Sequence, residues 1–161
     1  MKKAENLIYR QGAIGAMTDE YEKALKELKL VIGPISDADF FEKEESIEDR
    51  FQSVQDILSH IVRSGYAYAN YIRTSFVDEI SDKDFRIDSV ESAFAELDIM
   101  FAYNVATFED KWLLSDEVMM NTIIKTSWTT YDLEAIIEHS IVHILRHRLQ
   151  IQKLLIKFNK I

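Results

Sequence analysis

Apolar side chains recur every three or four residues in four separate stretches of this chain, the spacing of one face of an α-helix. Tyr21, Ala24, Leu25, Leu28, Val31 and Ile32 form the first stripe, over residues 18–32, behind Thr18 as N-cap with Asp19 and Glu20 in the first turn. Gly33-Pro34 is expected to stop this helix. The second stripe is Val54, Ile57, Leu58, Ile61 and Val62, continued by Tyr68, Tyr71, Ile72 and Phe76. It opens at Ser53-Val-Gln-Asp56, a hydroxyl N-cap with an acid three residues on. A third helix is expected from Asp88-Ser-Val-Glu91, with Val90, Phe94, Leu97, Phe101, Val105 and Phe108 as its inner face. The fourth runs from Asp132 to about Phe158 on Leu133, Ile136, Ile137, Ile144, Leu145, Ile151, Leu154 and Leu155, with Lys153 and Lys157 in its last turns. Residues 33–52 are acidic and irregular, and so are residues 114–131, where Ile123 and Ile124 suit a short turn or an edge segment. The expected fold class is all-α: a four-helix bundle in one domain, residues 1–161, with a first connection long enough for the second helix to cross over.

Composition narrows the function classes. One proline and four glycines among 161 residues do not suit a turn-rich β-sandwich or a collagen. The absence of cysteine excludes a disulfide scaffold, a Cys-ligated zinc or iron–sulfur site and a thiol nucleophile belonging to the chain itself. A net charge of −9 argues against nucleic acid as partner, because phosphate-backbone binding needs Lys and Arg to displace counterions. The N-terminal stretch carries Glu5, Arg10 and Gln11 where a signal peptide needs an unbroken apolar core. No apolar run reaches the roughly 18 residues of a membrane span. A cytoplasmic protein without a membrane partner is therefore expected. The hydrophobic share of 47% leads us to expect a homodimer.

The four histidines are the most informative residues. His139, His143 and His147 follow one another at intervals of four in the fourth helix. Residues four apart share a helix face about 6 Å apart along the axis, so two imidazoles can converge on one ion; residues eight apart are about 12 Å apart and cannot. The helix therefore offers His139/His143 or His143/His147. His60 lies on the inner stripe of the second helix among Ile57, Leu58 and Ile61. Each histidine alone has a plain reading, as a polar surface residue or a hydrogen-bonded core one. Together they offer three imidazoles from two helices, a donor set for zinc, nickel or iron(II) with a position left open. A zinc-protease motif is excluded, since Ser140 and Ile144 follow His139 and His143 where it needs Glu. Glu-x-x-His di-iron pairs are excluded as well: Ile57, Ile136, Ser140 and Ile144 stand three before the histidines.

Ser53-Val-Gln-Asp-Ile-Leu-Ser-His60 resembles the second-helix entry of the DinB/YfiT-like superfamily, where a capped start leads to a metal-ligand histidine. The stretch Asp132–Ile151, with His143-Ile-Leu-Arg-His147-Arg-Leu-Gln150-Ile151, resembles its last helix, which ends in His-x-x-x-His followed by Arg-Gly-Gln-Ile or a relative. Leu149 stands where many members have Gly. The resemblance implies a metal site at His60, His143 and His147, with His139 one turn below it. Counted at about 1.5 Å per residue, His147 is nearest the level of His60 if the two helices are antiparallel, and His139 if they are parallel. The resemblance implies the antiparallel case. It also implies a metal-dependent enzyme acting on a small-molecule substrate. With zinc or nickel first in line as cofactor, and iron also compatible, the ion would activate a low-molecular-weight thiol cosubstrate or water. A thiol S-transferase in detoxification or stress response is the leading activity, and a hydrolase the other. The competing class is a non-catalytic metal-binding stress-response bundle, since fold resemblance does not decide the reaction.

Other residues have plainer explanations. Tyr68, Tyr71 and Trp128 are placed to line a pocket over the metal, but core packing accounts for them as well. Asp56, one turn before His60, could orient that ring, but its capping role already explains it; Arg146 and Arg148 could meet an anionic group on a thiol cofactor, but a solvated face is the simpler account.

Overall fold

The computed structural model describes residues 9–159. Glu5 and the start of the N-terminal stretch that argues against a signal peptide lie outside them. Capping decides where two of the long helices begin. Ser53 Oγ accepts the Asp56 backbone N–H at 3.1 Å while the Asp56 carboxylate accepts the Ser53 N–H at 3.1 Å, and helix α3 (Val54–Ser75) starts there as expected. Asp132 Oδ1 accepts the Ala135 N–H at 2.8 Å and opens helix α6 (Leu133–Lys157). The expected box at Asp88 is displaced by one residue. Ser89 caps helix α4 (Val90–Thr107), and the Ser92 hydroxyl, not the Glu91 carboxylate, accepts the Ser89 N–H at 3.0 Å.

Helix α1 (Gly12–Ile32) begins earlier than Thr18. Thr18 is buried inside it and donates its hydroxyl to the Ile14 carbonyl at 2.8 Å. The reason is tertiary: Ile14 packs in one cluster with Leu133, Ile136 and Ile137 of α6, and that burial draws the helix back to Gly12. Gly12 has φ +74°, and a Cβ there would lie 2.4 Å from the Trp112 carbonyl oxygen. At the other end Gly33 keeps helical dihedrals, so Pro34 stops α1 by its missing donor and ring clash.

The remaining elements are short. Helix α2 (Asp37–Phe41) and a 3-10 turn (Asp49–Phe51) occupy the first connection. Helix α5 (Asp116–Asn121) and two antiparallel strands, β1 (Ile124–Lys125) and β2 (Thr130–Tyr131), occupy the second irregular segment, with Ile124 paired to Tyr131. Ile124 is buried and Ile123 is exposed. The described chain is thus mostly helical, of the all-α class expected.

Side-chain pairs give the helix directions. His60 and Tyr68 of α3 meet His143 and His139 of α6 in that order, so these two helices are antiparallel. Gly65 and Arg73 of α3 meet Asn104 and Thr107 of α4, so that pair is parallel. Tyr21 packs on Phe101 and Lys29 pairs with Asp98, making α1 antiparallel to α4; Ile14 lies with Leu133 and Glu27 pairs with Arg148, making α1 parallel to α6. The chain therefore crosses over between α3 and α4, in residues 76–89, and not in the first connection as its length suggests. This return strap is held by Asn70, which bonds both backbone groups of Ser81, by Gln55 to the Ile87 carbonyl, and by the buried Ile87 side chain.

The core has two parts. Leu28, Ile32, Ile57, Leu58, Ile61, Leu97, Ile151 and Leu155 fill one end, and Ile14, Ile72, Met119, Ile124, Leu133 and Ile136 the other. The inner face of α4 is rotated from the expected stripe. Ala93, Leu97, Met100, Asn104 and Thr107 are buried, while Phe94, Phe101 and Val105 sit half-buried at its flank. Among the described residues no helix is long and apolar enough to cross a membrane.

Candidate metal centre

His60 stands two turns into α3, and His143 and His147 on successive turns of α6. Because the two helices run antiparallel, the first half of α3 faces the second half of α6, and the three rings meet between them. His143 Nε2 lies 3.0 Å from His60 Nε2 and 3.1 Å from His147 Nε2. The three candidate ligand atoms all lie within 4.8 Å of one another.

The donor chemistry fits a cation. His147 Nδ1 donates to Gln150 Oε1 at 2.8 Å, one turn on along α6, which leaves the neutral ring with a lone pair on Nε2 directed at the other two. His143 Nε2 can carry one proton at most. At most one of the two short Nε2 contacts is therefore a full hydrogen bond in the neutral cluster, whereas a cation satisfies all three lone pairs together. Nitrogens about 2.0–2.1 Å from a shared tetrahedral ion lie about 3.3 Å apart, close to the two short spacings. These three residues can bind a metal ion.

Electrostatics hold the rings in the ligating state. Burial pushes His143 down to about 3, with His147, His60, His139 and Arg146 acting in the same direction. Burial likewise takes His60 to about 4, reinforced by His147, Arg50, Arg63 and Arg146. His147 is lowered by burial and by Arg146, against the opposing hydrogen bond from Gln150. All three imidazoles are neutral at neutral pH, the form that ligates.

Aromatic rings wall the cluster. Phe51, from the 3-10 turn, stacks on His147 with centroids 5.5 Å apart and meets His60 edge-on at 5.1 Å. Tyr68, buried, is edge-on to His143 at 5.4 Å and to His139 at 5.3 Å. His139 is not part of the cluster. Its centroid is 6.3 Å from that of His143, and its neighbours are Tyr68, Trp128 and Tyr131.

One side stays open. A cleft of about 500 Å3 reaches His60 and is lined also by Arg50, Arg63, Ser64, Tyr71 and Trp128. Tyr71 and Trp128 thus line a pocket, while Tyr68 packs behind the histidines. Asp56 lies at the cleft too, as well as capping α3. Arg148 is bound to Glu27 of α1, and Arg146 is exposed, as expected of a solvated face. Leu149 is 51% exposed.

Sequence reasoning does not single out Phe51, Arg50 or Arg63, and gives Gln150 no role. Gln150 is within reach of such reasoning, since residues three apart on a helix share a face. Phe51 is not, because nothing in an irregular connection tells where it folds back. Compared with protein-family models and with curated proteins, the chain matches none.

Proposed function

We propose that this chain is a metal-dependent enzyme built as a four-helix bundle of the DinB/YfiT-like kind, with His60, His143 and His147 as ligands of a divalent ion, zinc or nickel first. The observation that carries the reading is the convergence of three neutral imidazoles from two antiparallel helices beside an open cleft. The directions of the long helices and the match of the His-bearing segments to that superfamily's pattern support it.

When bound, a divalent ion with an open position lowers the pKa of a thiol or water held against it, making a nucleophile near neutral pH. The chain's own residues prepare for this. Gln150 fixes the His147 tautomer, so that its Nε2 faces the cluster. Phe51 and Tyr68 shield the rings from water on two sides, and the cleft at His60 admits a small molecule from a third. Ser64 Oγ lies 3.5 Å from His60 Nε2, where it could accept a hydrogen bond from a group held beside the histidines. With no cysteine in the chain, that thiol comes from the substrate. A purely structural site is closed on all sides, so a cleft reaching His60 supports the enzyme reading.

The test is metal analysis of the purified protein followed by a screen of small thiols with electrophilic acceptors. One divalent ion per chain is expected, lost in His143→Ala because that ring stands between the other two. Full retention of metal in that variant sinks the three-histidine reading. A metal-loaded protein inert toward every thiol and every hydrolytic substrate would favour a non-catalytic metal-binding role.

A further inference from the structure

The cleft beside His60 runs against the charge of the molecule. The whole chain carries −9, yet the cleft walls bear Arg50 and Arg63 against one carboxylate, Asp56. That carboxylate is engaged by the Ser53 backbone N–H at 3.1 Å. Arg50 meets Glu48 at the rim, 2.8 Å away, with both side chains largely exposed. Arg63 has no carboxylate within 4.0 Å among the described residues, and its guanidinium lies 5.9 Å from the Phe85 ring. It stands three residues after His60, on the same face of α3. Further along α3, Tyr71 packs on Trp128 with centroids 5.9 Å apart to form an aromatic wall, fastened by the Ser127 N–H donating to the Tyr71 hydroxyl at 3.3 Å.

An exposed guanidinium with no carboxylate partner, on the wall of a concave and partly apolar cleft in a chain with 28 acids, is available to an oxyanion brought from outside. We propose that this cleft binds the carboxylate or phosphate of a small organic anion, held by Arg63 with Arg50 at the rim, with the anion's apolar body against Tyr71 and Trp128. The proposal deepens the enzyme reading by naming the substrate as anionic, and it rests on that reading only for the chemistry at the imidazoles. The anion contact itself needs no metal.

Two indole N–H resonances, from Trp112 and Trp128, allow a direct test on the full chain, as purified and after chelation. Titrating succinate, inorganic phosphate and neutral 1,4-butanediol should move the Trp128 signal with one or both anions and leave Trp112 in place. The tighter anion names the source of the oxyanion. Arg63→Ala should weaken that binding about tenfold, the loss of one charge-assisted contact, and Arg63→Lys should restore part of it. Arg86→Ala removes an equal charge outside the cleft and should change nothing. No Trp128 shift with either anion, or equal binding by the wild type and Arg63→Ala, overturns the proposal. A shift that vanishes on chelation also overturns it, since the anion is then on the metal, and that outcome favours the metal reading. A shift that persists in a chain holding no metal leaves this inference standing and removes the metal-dependent one.

Discussion

His143 is the middle ring of the cluster, and its two short contacts explain why the neighbouring turns of α6 are unequal. A ligand set shared with α3 uses the turn that α3 faces at the level of His60, and that turn carries His147; His139 faces Tyr68 and Trp128 instead. His147→Ala should therefore weaken metal binding severely. His139→Ala should cost about 10–100-fold at most, the scale of changes around a metal's ligands. A metal titration of the two variants checks this, and the reversed order would move the site one turn along the helix. Acidity offers a second check. The folded values of His143 and His60, about 3 and about 4, lie below the ordinary 6.5, so the unfolded chain takes up protons that the metal-free folded chain refuses. Stability from these groups is complete above pH 6.5 and is lost as the pH falls toward the folded values. Carboxylates with lowered values, such as Glu22, withdraw their stability only below their ordinary 4.5, so the window from 6.5 to 4.5 belongs to the histidines. The urea midpoint of chelated protein should fall across that window, and His143→Gln should flatten the fall; an unchanged slope would refute the assignment.

At the scale of elements, α3 and α4 approach each other closely beside the core. Gly65 provides that closeness. A Cβ there would lie 2.3 Å from Met100 Sδ and 2.8 Å from its Cγ, and the Gly65 carbonyl accepts a hydrogen bond from Asn104 at 3.2 Å. Met100 is fully buried and its sulfur accepts from both Tyr21 and Asn104, so it has little room to give way. Gly65→Ala should destabilise by about 1–3 kcal/mol through overpacking, read from urea unfolding. In a Met100→Ala background the added methyl should cost much less, and equal costs in the two backgrounds would show that the contact is not the cause. The sequence is clear about which helices exist and where α3 and α6 begin, because periodicity and caps are local. It misplaces the start of α1 and the inner face of α4, because Ile14 and Met100 are committed by partners distant in sequence.

For the whole molecule, the outer face of α4 is the surface to watch. Among the described residues, extensive contacts reach that helix only from α1 and α3. Ile99, Ala102 and Ala106 are exposed along it, and Leu113 is exposed just beyond. Phe101, Val105 and Trp112 line an adjoining groove of about 500 Å3. A helix apolar on nearly every side is characteristic of one buried on every side. The homodimer expected from composition would cover this face. Sedimentation should give a concentration-dependent mass above the 18.8 kDa of one chain, and Ile99→Glu should bring it down to that value. A mass of 18.8 kDa at every concentration would remove the dimer.

The sequence by itself determined the all-α class, the capped starts of α3 and α6, and the placing of three histidines at four-residue intervals on one helix with a fourth on another. Each of these comes from interactions within a few residues along the chain. Without the family resemblance it left open which two of the three would meet His60. That choice depends on the relative direction and register of α3 and α6, which no local pattern encodes. Tertiary packing decided it, by burying Ile57, Leu58 and Ile61 in one core with Ile144, Ile151 and Leu155, so that the start of α3 lies against the end of α6. The same packing laid Phe51 over the rings and gathered Arg50, Arg63 and Trp128 into one cleft. Those residues come from separate connections and helix faces, and only the folded chain makes them neighbours.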